Sequence, residues 1–301
     1  MVMGIGEGEM TRSQILQFVI SGITQGSIYA MVALGFTIIF RTTRIVNFAQ
    51  GDFVMFGAML VATLHNLFHI SLLPSILLSI LIVAMIGGAM EITMIYPLKG
   101  VGIFPLVMIT LGASIIFNSS SLLIWGVDPL HLKGFSGDNP IRFYGATLMP
   151  QTLWIVGAIV CVAVALFSFF RYTKIGQAML ACSMNDEAAA SVGINVRMMV
   201  LSSFILSAAL GGLGGVLIVP ITMVMFDMGV LMTLKGFAAA ILGGLGSAPG
   251  AVVGGIVLGL AESLSCGIVS SGYRDSITLF VLILVLLVRP SGILGSRFIK
   301  R

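Results

Sequence analysis

Apolar residues in this chain gather into long runs separated by short polar stretches. Nine segments can be delimited: Ile15–Phe40, Phe48–Leu67, Leu72–Ile95, Phe104–Trp125, Leu153–Phe170, Met198–Ile221, Leu231–Leu245, Ala251–Ile268 and Ser276–Val288. A helix crosses the ~30 Å hydrocarbon core with about 20 residues and satisfies all its backbone groups internally. The pattern therefore predicts an all-α, polytopic helical membrane protein, a single domain over residues 1–301. It has about eight to ten transmembrane helices and a glycine-rich broken segment. The seventh run is short, interrupted by glycine and carries Lys235, which suits a half-helix or a re-entrant piece.

Composition agrees. The 301 residues are 58% hydrophobic and 9% charged, with a mean hydropathy of +1.14, where soluble domains carry roughly a quarter charged residues. So little charge cannot cover a water-facing surface of this size. With 37 glycines against 9 prolines, close helix–helix contacts are expected, because small side chains let backbones approach where lipid provides no hydrophobic drive. Cys161, Cys182 and Cys266 are too scattered for a disulfide framework or a metal site and read as small fillers. Met1–Arg12 holds Glu7 and Glu9 and no basic stretch, so no cleavable signal peptide is expected.

The net charge of +4 does not point to nucleic acid, because the basic residues lie dispersed at segment ends. If the runs alternate across the membrane, Arg41, Arg44, Lys99, Arg171, Lys174, Arg197, Arg289, Arg297, Lys300 and Arg301 share one side, ten of the 15 basic residues. Arg12, Lys133, Arg142 and Arg274 lie on the other. The positive-inside rule places the first set in the cytoplasm, with the N-terminus outside and the C-terminus inside. The long connection 126–151 then lies outside, and 171–197 lies in the cytoplasm.

Within that inner loop, Cys182 to Asn195 reads as one short helix. Asn185 can cap its start, Asp186 and Glu187 suit the positive end of its dipole, alanines favour its interior, and Gly193 suits the left-handed position past its end. Ala188, Ala189 and Val192 form a small apolar face that either seats in a groove on a partner or rests against the membrane.

Polar residues at the edges of the spans supply the remaining candidates. Asn47, Gln50 and Asp52 flank the opening of the second run. They either line a pathway or hold a broken helix together; in the plainer reading Asn47 caps the helix at Phe48 and Asp52 pairs with Arg44. Gly236, Gly243, Gly244, Gly246, Gly250, Gly254 and Gly255, with Pro249, suit either a bend whose backbone meets a zwitterionic substrate or close helix packing, with 243–249 as the hinge. Glu262 and Glu91 lie inside spans, and Lys235 is the cationic candidate to pair with Glu262. His65 and His69 stand i,i+4 without a third ligand, an interfacial polar pair, so neither a metal nor another cofactor is expected.

Glu187-Ala188-Ala189, three residues and then Gly193 match the EAA motif of ABC-importer permeases, without the isoleucine and Leu-Pro pair that continue its longer form. Further matches are Gly35-Phe36-Thr37 leading to Asn47-Phe48-Ala49-Gln50-Gly51-Asp52, then Tyr96-Pro97-Leu98-Lys99, and Thr110-Leu111-Gly112. They continue with Gly243-Gly244-Leu245-Gly246-Ser247, Pro249-Gly250, and Arg289-Pro290-Ser291-Gly292-Ile293-Leu294-Gly295. In this order, from about Gly22 to Gly295, the chain resembles the branched-chain amino acid permease family, in the shorter form of its two paired permeases.

The resemblance implies a subunit of the bacterial cytoplasmic membrane that works with a second related permease, two cytoplasmic ATP-binding subunits and an external substrate-binding protein. Glu187, Ala188, Ala189 and Gly193 would take up motion from the ATPases. The sequence has no Gly-x4-Gly-Lys-Ser/Thr phosphate loop, so the chain is expected to be a non-catalytic permease with ATP hydrolysed elsewhere. The implied cargo is leucine, isoleucine or valine. Urea, amides or other amino acids remain open, as does a secondary transporter using Asp52, Glu91, Glu262 and Lys235 as coupling groups.

Overall fold

Each of the nine apolar runs forms a helix in a computed structural model, which describes residues 12–98, 100–137, 139–268, 272, 274–288 and 292–294. Lys99, Asp138, Arg289, Pro290, Ser291, Gly295, Arg297, Lys300 and Arg301, like Glu7 and Glu9, lie outside the described residues. In chain order the helices are α1 (Arg12–Thr43), α2 (Gln50–Asn66), α3 (Leu72–Met90), α4 (Ile103–Trp125), α5 (Pro150–Tyr172), α6 (Lys174–Met184), α7 (Asp186–Ser191), α8 (Val196–Ile218), α9 (Met228–Gly243), α10 (Ala248–Ile268) and α11 (Arg274–Val288). A π turn at Glu91–Ile95 and a 3-10 turn at Tyr96–Leu98 prolong α3, and an antiparallel hairpin, β1 (Ile141–Phe143) with β2 (Ala146–Leu148), precedes α5.

Among the described residues, α1, α3, α4, α5, α8 and α10 are long and apolar enough to cross a membrane, which makes this a multi-pass membrane protein. By contrast, the 17 residues of α2 and the 16 of α9 reach only about 26 and 24 Å at 1.5 Å per residue. Neither would fill the ~30 Å core alone. Both lie mostly enclosed by their neighbours: every residue from Gln50 to Met59 is buried, as are Lys235 to Gly243 apart from Phe237. The seventh run, α9, is thus shorter than a full span but longer than a half-helix, and α10 after it is a full-length helix.

Glycine brings the central helices together. A Cβ at Gly26 would stand 2.7 Å from the Gly255 carbonyl and the Ile256 Cα, and one at Gly259 would strike the backbone of Gly26 and Gly22, so α1 and α10 touch main chain to main chain. Gly57 against Gly212 and Gly215 against Val54 do the same for α2 and α8, and Gly243 against Gly250 for α9 and α10. This is the packing that favours association in lipid, where dispersion and not water expulsion holds helices together. The outer faces of α3, α4 and α5 instead expose large apolar side chains such as Leu73, Phe104, Leu123 and Val164.

The ends of the bundle differ in chemistry. At one end the Arg41 guanidinium lies 4.7 Å over the Phe170 ring, Arg44 reaches the Ser183 carbonyl, and Arg197 stacks 4.0 Å over Tyr96. Arg41, Arg44 and Arg197, which alternation of the runs puts on one side, therefore lie at one end. At the opposite end Asn66 donates to the His131 carbonyl, Thr147 N–H donates to Gln17, and Leu130 pairs with Val224 as an isolated bridge.

Substitution of Gly259 by valine is expected to lower the unfolding temperature in detergent by several degrees, as overpacking costs about 1–3 kcal/mol. Gly112→Ala, where a Cβ meets open space, should leave it unchanged or raise it slightly, and a thermal melt of the purified variants checks both.

Candidate coupling element and interhelical polar site

The loop between α5 and α8 holds the expected short helix, capped at Asn185 and closed at Gly193, and before it a second helix, α6, that takes up Cys182 to Met184. Cys182 to Met184 form the last turn of α6, and the chain then extends at Asn185 (φ −161°, ψ 111°) so that its side-chain oxygen accepts the Ala188 N–H at 2.9 Å. A residue cannot both continue one helix and cap the next, so the N-cap breaks the run. Thr173 caps α6 in the same way by accepting the Gly176 N–H. Past α7, Gly193 adopts φ +86°, and Ile194 N–H returns to the Ala189 carbonyl at 3.1 Å, the closing geometry that glycine allows. The expected apolar face is also corrected: Ala189 points inward against Cys182 and Val196. Glu187, Ala188 and Val192 face outward, Val192 being 77% exposed.

The bend from α1 to α2 begins at Arg44, whose backbone is left-handed (φ +59°). Its Nε donates to the Ser183 carbonyl at 3.2 Å, and its guanidinium lies over Phe40. The chain then runs inward. Gln50, the first residue of α2, exchanges hydrogen bonds with Ser207: its Nε2 donates to the Ser207 carbonyl, and its Oε1 lies 2.7 Å from the Ser207 hydroxyl. Ser207 stands midway along α8, so α2 starts inside the bundle and not at its end. Gly35 leaves the room: a Cβ there would strike the Gln50 amide.

A helix that begins inside a bundle has orphan N–H groups to satisfy. Here side chains meet one of them and two amides of the turn that leads in. Phe48 N–H donates to the Thr110 hydroxyl of α4 at 3.1 Å, Ala49 N–H to the Asn47 side chain at 3.1 Å, and Gly51 N–H to the Thr233 hydroxyl of α9 at 2.9 Å. Thr233 in turn donates to the Phe48 carbonyl. Asn47 therefore does not cap a helix at Phe48 as expected: α2 starts two residues later, at Gln50, and the Asn47 side chain closes the turn that precedes it by accepting from Ala49. Asp52, in the positive first turn of α2, accepts from Asn118 at 2.9 Å and sits beside Ser114, both on α4. The expected Asp52–Arg44 pair is not formed, because Arg44 is turned toward α6 while Asp52 has been carried into the bundle.

Farther along, Lys235 of α9 and Glu262 of α10 form a 2.9 Å salt bridge, and Lys235 Nζ also donates to the Tyr29 hydroxyl of α1 at 3.3 Å. Both charged groups are almost wholly buried, and each offsets the cost of burying the other. Glu91 is buried where α3 passes into its π turn. His65 Nδ1 lies 2.9 Å from the Ile70 carbonyl. In the glycine-rich turn, Gly244 (φ +105°) and Gly246 (φ +86°) reverse the chain between α9 and α10. Ile293 and Leu294 N–H donate to the Leu242 and Gly243 carbonyls, so the stretch 292–294 closes the end of α9.

The model of the branched-chain amino acid transport system permease component matches residues 18–288, nearly the whole chain. The chain belongs to this permease family. The curated LivH permease protein of the high-affinity branched-chain amino acid transport system from Salmonella typhimurium is 32% identical, covering 95% of this chain and 97% of its own length. BraD of Pseudomonas aeruginosa is 31% identical with the same coverage. A probable branched-chain amino acid permease protein of Methanocaldococcus jannaschii is 30% identical over 91% of this chain and 90% of its own.

For this permease the sequence had singled out Asn47, Gln50, Asp52, Lys235 and Glu262, and the structure separates them into two clusters. Asn47, Gln50 and Asp52 gather at the start of α2, and Lys235 and Glu262 form the ion pair. Of the partners that complete each cluster, Thr110 lies in one of the quoted motifs, while Asn118, Ser207, Thr233 and Tyr29 carry no signal in the sequence beyond being polar in an apolar run.

Replacing Lys235 by methionine is expected to destabilise the folded permease by about 3–5 kcal/mol, since it strands a buried carboxylate, and replacing both Lys235 and Glu262 by apolar residues should recover most of that loss. Thermal unfolding of the single and double variants forms the cycle that measures it.

Proposed function

We propose that this permease is the translocation subunit of an ATP-driven importer for leucine, isoleucine and valine, set in the bacterial cytoplasmic membrane with its N-terminus outside and its C-terminus in the cytoplasm. The observation that carries the reading is α7. It is capped at Asn185, closed at Gly193, anchored inward by Ala189, and turns Glu187, Ala188 and Val192 outward at the arginine-rich end of the bundle. A short, rigid, exposed helix of this kind suits a cleft on an ATPase subunit. LivH and BraD, matched over almost the whole chain, are named for branched-chain amino acid transport, which supports the cargo.

The chain itself has no phosphate loop, so ATP is hydrolysed by two partner subunits. A second related permease completes the passage, and an external binding protein delivers and selects the amino acid. Closure of the ATPases moves α7, and the bundle alternates between outward and inward access. Asn47, Gln50 and Asp52 at the start of α2 gate the route, Gly243, Gly244 and Gly246 form its hinge, and Glu262 steadies the passage beside them. No group in this chain needs to bind the cargo tightly, because selectivity resides in the delivery protein.

Reconstitution of the permease with its candidate partners should give ATP-dependent leucine uptake in proteoliposomes. Uptake by the chain alone, driven by a proton gradient, would overturn the reading. Glu187→Lys or Gly193→Asp should leave the protein inserted while ATP-driven uptake falls about tenfold or more, as when a charged or capping contact at an interface is lost.

A further inference from the structure

We infer that Arg44 is the strut that links the coupling helix to the internal start of α2; this rests on the importer reading above. The guanidinium is the reason. Helices that end on a left-handed residue usually place glycine there, since a side chain is strained in that conformation. This chain keeps an arginine at φ +59°, immediately after α1 ends at Thr43. Strain held at one position by its surroundings points to a role for the side chain.

The side chain spans the gap between the two moving parts. Its Nε donates to the carbonyl of Ser183, in the last turn of α6 and two residues before the Asn185 cap of α7. The Phe40 ring 5.7 Å from Cζ steadies the guanidinium. On its other side the main chain from Arg44 runs through buried Ile45 and Asn47 to Phe48, Gln50 and Gly51, which are fastened to Thr110 on α4, Ser207 on α8 and Thr233 on α9. A displacement of α7 by a partner therefore acts on the α6 end, on Arg44, and on the segment that positions α2, without passing through the length of any transmembrane helix. Other guanidiniums at this end bypass the start of α2: Arg41 lies over Phe170 of α5, and Arg197 over Tyr96 ties α8 to the end of α3. Arg44 is a positioning residue and touches no cargo.

Arg44→Gly is the decisive variant, because glycine relieves the backbone and removes the guanidinium. The assembled transporter is expected to form in wild-type amounts and to hydrolyse ATP, while leucine moved per ATP falls about tenfold, the loss expected when a hydrogen bond to a charged group is removed. Arg44→Lys should restore part of it, and Ser183→Ala, which leaves the carbonyl in place, should behave as wild type. Wild-type transport per ATP in Arg44→Gly, or a loss that merely tracks reduced assembly, overturns the strut. Hydrogen exchange on the purified permease reads the same link without transport. Weakening the α7 cap by Asn185→Ala should speed exchange of the Phe48 to Gly51 amides roughly fivefold in the wild-type chain. It should have no such effect in Arg44→Gly; equal responses in both backgrounds would overturn the inference. An absence of ATP-driven leucine uptake by the wild-type assembly would instead count against the importer reading, and the exchange measurement still decides the strut.

Discussion

A backbone N–H inside hydrocarbon has no water to turn to, and a helix that starts there must find its acceptors in neighbouring side chains. That constraint organises the centre of this permease. Because α2 begins beside Ser207, partway along α8, the amides of Phe48 and Ala49 in the turn leading into it, and of Gly51 in its first turn, would be unpaired without Thr110, Asn47 and Thr233. Those residues sit on α4, the bend and α9, so satisfying one short helix fixes the spacing of its neighbours. The same fastening explains why Gly35, Gly51 and Gly229 carry no side chain, since a Cβ at each would strike Gln50, Thr233 or Asp52.

Close packing does the remaining work. In water, burial of apolar surface would draw these helices together; in lipid the apolar tails already solvate that surface, and contact must be gained by approach. Glycines at Gly26, Gly255 and Gly259 bring α1 and α10 into backbone contact, while the Lys235–Glu262 pair and Tyr29 lock α9 to both. A buried ion pair contributes little net stability against its desolvation cost, but it penalises any other register of α9 and α10 by exposing a lone charge to hydrocarbon. Geometry is thus held by dispersion and made unique by charge.

The helical pattern was legible because long apolar runs leave few alternatives in a membrane, and all nine became helices. Their ends were less so: α1 continues into polar Arg41 and Thr43, and α9 starts at Met228, three residues earlier than hydropathy suggests. Helix α6 was missed because its residues, Lys174 to Met184, are neither apolar enough for a span nor marked by a break until Asn185. At the site, Lys235 and Glu262 could be paired on paper because ionisable residues are few within the spans. Ser207, Thr110 and Thr233 could not, since a hydroxyl in a helix can equally bond the carbonyl one turn back, as Thr24 and Ser27 do. Asp52 seemed close to Arg44 along the chain, and sequence distance says nothing of a bend that drives one residue inward and leaves the other at the end.

The contact between α1 and α10 has a consequence for how the molecule is made. Among the described spans α1 comes first in chain order and is the most enclosed, and its Gly22 and Gly26 pack against α10, more than 200 residues later. During synthesis α1 therefore waits in the bilayer with that face and Tyr29 open to lipid or to an insertion factor, and the centre of the bundle cannot close until α9 and α10 have been translated. Topology is set early and the core late, so a chain halted before α10 leaves helices that are inserted but not assembled.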